Sequence, residues 1–268
     1  MSKASVALVT GVSSGIGEVT ARTLVREGWR VFGTVRSPTS EVPPDVERVV
    51  MDVRDDASVE AGVASVLSRA GRIDGLVNNA GTTVAGAIEE TDTAQAQALF
   101  DVNFFGVVRV TRAVLPAMRE QRAGRIIIVS SVLGFLPAPF MGFYAASKHA
   151  LEGYSESLDH EVRTMGIRAV LVEPVFMKTR LGNNTVRAAR AIGDYGVAEK
   201  RVSASVQDHL VRGGEPLIVA EAVASALRAA KPRLRYPVGK GSGLLAFMRS
   251  VAPERLFDRT LRREFDLD

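Results

Sequence analysis

The sequence predicts an α/β fold, a single doubly wound parallel β-sheet flanked by helices. Two observations carry that reading. Short runs of Val, Ile and Leu alternate with helical patterns along the whole chain, the order in which βαβ units are built. A glycine-punctuated turn, Thr10-Gly11-Val12-Ser13-Ser14-Gly15-Ile16-Gly17, sits at the first strand-to-helix junction, at the carboxyl edge where such a sheet takes its ligands. No internal repeat, low-complexity stretch or linker interrupts the chain, so residues 1–268 read as one domain.

Taken in order, Val6–Val9 is a buried parallel strand, and the pattern after Gly17 is a helix to Glu27 that Gly28 closes. Arg30–Thr34 is a second strand ending at Val35-Arg36; a polar loop over Ser37–Pro44 precedes a third strand, Val46–Val50. A helix runs from Ala57 to Arg69, and Ile73–Val77 is a fourth strand entering Asn78-Asn79-Ala80-Gly81. One long helix spans Thr93 to Arg119, followed by a fifth strand, Arg125–Val129. Tyr144–Thr164 is helical, Ile167–Val172 a sixth strand, Val219–Ala230 a helix and Leu234–Tyr236 a short last strand. Residues 180–215 carry no strong pattern, and their scattered Asn and Gly suggest a mobile segment over the site. Tyr195 and His209 within it read as packing residues.

The glycine turn is built for a dinucleotide. Glycine lets the backbone approach a pyrophosphate, and the helix start offers free N–H groups at the positive end of a dipole. A second chemical signal lies in Tyr144-Ala145-Ala146-Ser147-Lys148. On a helix Tyr144 and Lys148 leave one face a turn apart. A phenol ordinarily titrates near 10, and a nearby ammonium favours its ionised form. The pair is therefore expected to exchange a proton with a carbonyl oxygen. That chemistry calls for a hydride carrier, and the glycine turn is where one would bind. Ser130 and Ser131 end the fifth strand, and either could face the tyrosine. The apolar stretch 132–143, punctuated by Gly and Pro, would supply a substrate wall.

The spacing Gly-x-x-x-Gly-x-Gly, the Asn-Asn-Ala-Gly turn, an Asn in the following helix and the Tyr-x-x-x-Lys pair come in the order of the short-chain dehydrogenase/reductase family. The chain resembles that family over nearly its whole length, with a likeness to its hydroxysteroid and retinol dehydrogenase members. The resemblance implies a Rossmann-type fold and an NAD(P)-dependent ketoreductase. It selects Ser131, thirteen residues before Tyr144, to orient the carbonyl oxygen, and makes Tyr144 the proton donor. Lys148 then both acts on the tyrosine and binds the cofactor ribose, while Asn103 kinks its helix and holds a water linked to the lysine. A purely structural buried Asn is the alternative at position 103. Gly11, Ser13, Ser14, Gly15, Ile16 and Gly17 would hold the pyrophosphate. Asp52 with Val53 would meet the adenine, an N-cap of the next helix being the rival account of Asp52. Asn79, with Ala80 and Gly81, would reach the adenosine ribose, and Pro174 and Thr179 the nicotinamide; Val175 stands where relatives carry Gly. The second strand ends in Val35-Arg36 rather than in a carboxylate, so NADP(H) is expected over NAD: an arginine can pair with a 2′-phosphate. Homodimers or homotetramers are common in the family.

Composition narrows the alternatives. Hydrophobic residues make up 46% and charged residues 24%, an ordinary globular balance. There is no cysteine, so thiolate and disulfide chemistry are excluded, and with three histidines no metal site is expected. Nothing resembles a nucleic-acid module. The start of the chain shows no signal-peptide pattern, and no apolar run is long enough to span a bilayer, so the expected location is cytoplasmic. From Lys231 onward nine Lys/Arg face five Asp/Glu, which accounts for the whole net charge of +4. That tail, with Leu244, Leu245, Phe247, Met248, Leu256 and Phe257 near helical spacing, reads first as core or subunit packing and second as a membrane-surface contact. The expected function is interconversion of a ketone or aldehyde and an alcohol on a bulky apolar substrate. A non-catalytic nucleotide-binding regulator on the same fold is the alternative; an epimerase or dehydratase would need a different glycine spacing and a longer substrate region.

Overall fold

The computed structural model describes residues 4–179 and 185–267. Its central sheet has seven strands, all parallel. They are β1 (Val6–Val9), β2 (Arg30–Val35), β3 (Val46–Val50), β4 (Gly75–Asn78), β6 (Gly124–Val129), β7 (Ile167–Pro174) and β9 (Arg235–Val238), while β5 (Thr83–Ala85) and β8 (Thr185–Arg187) pair apart from it. Across the sheet the order is β3-β2-β1-β4-β6-β7-β9. It reverses between β1 and β4, which opens a crevice at their carboxyl ends. Alternation within one strand shows how the layers form. Ile126 and Ile128 of β6 enter the core on one face, while Ile127 and Val129 enter the core on the other. Each such side chain fully withdrawn from water contributes about 1.5–3 kcal/mol.

Helices α2 (Asp56–Ala70), α4 (Gly106–Gln121) and α5 (Gly142–Val162) cover the first face with Val63, Val110, Met118 and Leu151. Helices α1 (Gly15–Arg26) and α7 (Pro216–Arg228) cover the second with Leu24, Val219 and Val223. Helix α2 starts where Asp55 accepts the amides of Ala57 and Ser58, and stops at Gly71, whose φ of 75° suits glycine. Asp55, not Asp52, is thus the cap, which removes the rival account of Asp52.

The expected long helix over Thr93–Arg119 is interrupted. Helix α3 (Thr93–Phe100) passes into a π-helical turn at Asp101–Phe105 before α4 begins. A Cβ on Gly106 would press on Val53 Cγ2 at 2.8 Å, so glycine lets α4 approach the end of β3. Residues 185–215 carry regular structure that their sequence pattern does not announce. Strand β8 pairs in parallel with β5, and α6 (Gly196–Arg212) follows; residues 180–184 lie outside the described residues. The tail forms two helices, α8 (Ser242–Val251) and α9 (Glu254–Glu264). Phe257, Leu261 and buried Phe265 join a third apolar cluster with Val202 of α6 and with Val132, Leu133 and Tyr144 at the carboxyl edge of the sheet. Core packing therefore accounts for part of the tail, while Leu244, Phe247 and Leu256 face outward. Among the described residues no helix is long and apolar enough to cross a membrane.

Candidate active site

A cavity of ≈ 670 Å³ follows the carboxyl edge across the β1/β4 crevice, within the size range of small-molecule and cofactor sites. Every site residue expected from the sequence lines it except Gly17 and Asn103. At one end the turn after β1 forms a cradle. Gly11 and Gly15 have φ of 72° and 63°, in the left-handed region that other residues resist. A Cβ at Gly17 would overlap the Gly11 carbonyl and the Asn79 amide, which closes the first turn of α1 tightly on the loop. Ser14 caps α1 with extended backbone and makes no side-chain bond to the helix's first amides, so those donors face the cavity edge unmasked by a side chain. This cradle fits a pyrophosphate.

Asn79 shapes the cradle from below. Its Nδ2 donates to the carbonyls of Thr10 (2.9 Å) and Gly11 (3.1 Å), while Thr10 Oγ1 accepts the amides of Asn79 and Ala80. Thr10 opens the turn in the sequence but received no role there, because a single Thr before a glycine turn carries no signal of its own. At the β2 end of the cavity Val35 is buried and Arg36 exposed, with no carboxylate on the β2 terminus. The Asp52 carboxyl is held by Arg54 at 2.6 Å and lies below its ordinary range chiefly through that bond. Arg54 lines the same end and was also missed, being an ordinary loop charge by sequence.

Beyond the cradle stand the three groups that the sequence singled out. Ser131, Tyr144 and Lys148 are all buried. Strand alternation and the turn at Val132–Gly134 put Ser131 on the cavity side. Its Oγ accepts the Leu133 amide at 3.1 Å, and its one proton can point at the Tyr144 phenol or at the Pro174 carbonyl, 3.5 Å away. Ser130 is not in competition, since its hydroxyl donates to Glu152 behind the strand. Lys148 Nζ donates to the Val129 carbonyl at 2.9 Å and lies 5.7 Å from the centre of the Tyr144 ring.

The titration of this pair departs from the sequence expectation. Burial pushes the Tyr144 phenol up to about 12, against the opposing bond from Ser131. Burial likewise pulls Lys148 down to about 8, against the pull of Glu152. Loss of hydration outweighs the attraction between ammonium and phenolate, because Nζ is directed at a carbonyl rather than at the phenol oxygen. The tyrosine of the chain alone is accordingly a neutral proton donor near neutral pH.

Asn103 is a junction outside the cavity. Its Oδ1 accepts the Thr82 amide at 2.8 Å, and its Nδ2 reaches the Thr82 carbonyl at 3.0 Å and Ser147 Oγ at 3.1 Å. Ser147 in turn donates to the Tyr144 carbonyl at 2.7 Å. The π turn at 101–105 brings its amide to α5, and so the kink expected of this residue is present. The far wall of the cavity is apolar, with Leu133, Met141, Val175, Phe176, Val206 and Leu210. Val175 packs over Gly239, where a side chain would collide with it, so the residue that replaces the family's Gly finds its space there. His209 stacks on Phe176 at 5.1 Å and bonds Glu264 at 2.8 Å, and Tyr195 donates to Glu89 at 2.8 Å; both serve packing, as expected.

A doubly wound parallel sheet with a glycine cradle beside a buried Ser, Tyr and Lys defines a dinucleotide-linked dehydrogenase. Residues 5–190 match the short chain dehydrogenase family, and the chain belongs to it. It is 36% identical over 259 residues to a 3-ketodihydrosphingosine reductase of Bacteroides thetaiotaomicron, covering 95% of this chain and 96% of that protein. Its fold superposes on a short-chain dehydrogenase from Streptomyces avermitilis with a TM-score of 0.85 and 35% identity, over 98% of this chain and 99% of that one. A Burkholderia cenocepacia short chain dehydrogenase solved with NADP matches at 0.77 and 26% identity, over 96% and 98% of the two chains; another solved neighbour holds NAD. The chain is thus a short-chain dehydrogenase/reductase, an oxidoreductase.

Proposed function

We propose that the protein is an NADP(H)-dependent reductase or dehydrogenase interconverting a ketone or aldehyde and an alcohol on a bulky, apolar, lipid-like substrate. The observation that carries this is the meeting, in one cavity, of a phosphate cradle, a buried Ser–Tyr–Lys group and an apolar wall. When bound, the dinucleotide would supply or accept the hydride. Gly11, Ser13, Ser14, Gly15, Ile16 and Gly17 would hold its pyrophosphate, Asp52, Val53, Asn79, Ala80 and Gly81 its adenosine part, and Pro174 and Thr179 the nicotinamide end. Lys148, with its three donors, would bind the adjoining ribose.

In the reductive direction Tyr144 gives its phenolic proton to the carbonyl oxygen, a transfer that suits a group still protonated at neutral pH. Ser131 Oγ orients that oxygen by a hydrogen bond. Lys148 favours the phenolate that is left; Asn103 holds Ser147, which bonds the Tyr144 carbonyl, and a water held at Asn103 would link Lys148 to solvent so that the proton is replaced. The buried wall excludes water from the reacting groups. NADP(H) is favoured because Val35 offers no carboxylate to repel a 2′-phosphate and exposed Arg36 offers a cation to pair with it. The lipid-like substrate is supported by Met141, Phe176 and Leu210 in the wall and by the ketosphingoid activity named for the Bacteroides relative. Residues 185–212 act as the cover of this substrate end, and a cytoplasmic homodimer or homotetramer is the proposed form, which light scattering of the purified protein tests.

The decisive experiment mixes protein, NADPH and a panel of apolar ketones and follows loss of NADPH. Turnover of a long-chain or polycyclic ketone is expected, with Tyr144→Phe slowed by roughly 10²–10⁴-fold, the usual value of positioned acid–base catalysis. A Tyr144→Phe protein as active as the parent would remove the proposed proton donor.

A further inference from the structure

We propose that Arg235, on β9, and the glutamates gathered round it form a positioning cluster that sets the seat and the charge of Lys148 from beneath the site. The inference rests on the role given to Lys148 above. The Arg235 guanidinium bonds Glu152 and Glu173 through Nη1 and reaches Glu156 through Nη2 at 2.8 Å. The Glu152 and Glu173 side chains are only 9% and 2% exposed. Ser130 donates to the free Oε1 of Glu152, and a side chain at Gly134 would collide with both.

Each of these residues adjoins a part of the candidate active site. Ser130 directly follows β6 and precedes Ser131. Glu173 precedes Pro174 on β7, whose carbonyl faces Ser131. Glu152 lies one turn beyond Lys148 on α5, on the same face. The guanidinium therefore joins β9 to α5 and β7, and Glu152 carries the link on to Ser130 at the end of β6, so a shift of α5 or β7 has to break a buried ion pair.

The cluster also carries charge. Three carboxylates meet one guanidinium, and the excess is negative. Burial alone would pull Arg235 down, but its three carboxylates hold it raised. Burial and the neighbouring Glu152 push Glu173 up to about 7. On raising the pH through neutrality the cluster gains a negative charge close to Lys148, and that charge sustains the ammonium which burial opposes. The groups facing Lys148 are Tyr144 and Glu152 on α5, with Ser131 and the Val129 carbonyl from the β6 side. Those facing Glu152 are Ser130, Glu173, Arg235 and, on its own helix, Lys148 and Glu156. Among the described residues no ion pair joins Lys148 directly to Glu152, so the influence is one of field and framework.

The test follows the Lys148 titration by NMR of the full chain labelled at lysine 13Cε, with the signal identified by its loss in Lys148→Met. In the parent, Lys148 should titrate near 8 with an earlier inflection near 7 that reports Glu173. In Glu152→Gln the midpoint should fall by roughly one pH unit, and the alkaline limb of kcat with NADPH should move down with it. Glu173→Gln should abolish the inflection near 7. A merely structural cluster would lower the melting temperature of these variants and leave the Lys148 midpoint in place. A folded Glu152→Gln protein with an unmoved midpoint overturns the proposal. If that variant does not fold, a folded Glu173→Gln protein whose Lys148 midpoint matches the parent's overturns it instead. Tyr144→Phe serves as the control: full activity there would sink the reading of the site, while the Lys148 titration still judges the cluster.

Discussion

Replacing Asn103 by Ala tests whether the π turn is held by this one side chain. The side chain is buried, and Asn103→Ala removes three hydrogen bonds, to the Thr82 amide, the Thr82 carbonyl and Ser147 Oγ. The Thr82 amide is then left without its acceptor, at about 1–3 kcal/mol, and the other two bonds are worth about 1 kcal/mol each. The total is about 3–5 kcal/mol before relaxation, and water entering the vacated space would return part of it, leaving about 2–4 kcal/mol. For a chain of this size each kcal/mol moves the melting temperature by roughly 2–4 °C, so a fall of about 5–15 °C is expected in a calorimetric scan of the ligand-free protein. Asn103→Asp keeps the acceptor for the Thr82 amide but loses both Nδ2 donors and sets a buried carboxylate against the Thr82 carbonyl, so at pH 7 it should fall at least as far as Asn103→Ala. A melting temperature for Asn103→Ala within about 2 °C of the parent would show that the turn is held by packing and that the bonding argument is wrong.

Further outcomes follow from the same geometry. Gly17→Ala places a Cβ on the Gly11 carbonyl and the Asn79 amide; dinucleotide binding measured by calorimetry should be lost, and an unchanged Kd would show that the cradle is not the phosphate site. Arg36→Asp should shift the NADP-to-NAD preference in kcat/KM by roughly 10–100-fold toward NAD, the value of one charge-assisted hydrogen bond; an unchanged ratio refutes the account of the β2 terminus. Asp159, fully buried, accepts from Arg168 at 2.7 Å, from Arg163 and from the Ala169 amide at 3.0 Å. Burial opposes its charge, but these partners outweigh burial and hold it below the ordinary carboxylate range. Asp159→Asn should therefore cost about 2–4 kcal/mol at pH 7, the lower part of the range for breaking a buried pair because Arg163 can turn to water. A group depressed in the folded state contributes fully above its unfolded value of about 4, so this difference should hold there and be lost progressively as the pH falls further, through the lowered folded-state value. A pH-independent difference in urea unfolding would refute the charge argument.

Much of the catalytic edge was legible because its signals are local. Tyr144 and Lys148 share a helix face by spacing alone, and the glycine turn betrays itself because glycine takes up the φ of Gly11 and Gly15 without strain. The long helix around Asn103 was recognisable by period, but its π turn was not, since one extra residue in a turn leaves the apolar pattern almost unchanged. Strands β5 and β8 were missed for a related reason. Three-residue strands that pair across about 100 residues of chain carry too few positions for any period to show.

Local patterns in the sequence therefore determined the fold class, the strand-turn-helix cradle and the pairing of Tyr144 with Lys148, while the family resemblance singled out Ser131. Only the tertiary structure decided what those residues experience. Whether the tyrosine is easier or harder to ionise depends on how much water surrounds it and where the ammonium points, and burial reversed the direction expected from the pair alone. Arg235 and Glu152 lie 83 residues apart and read as ordinary charges in the chain, while in the folded protein they meet beneath the site. The physical reason is the same in both cases. Hydration and Coulomb terms are sums over everything nearby in space, and most of those neighbours are remote in sequence.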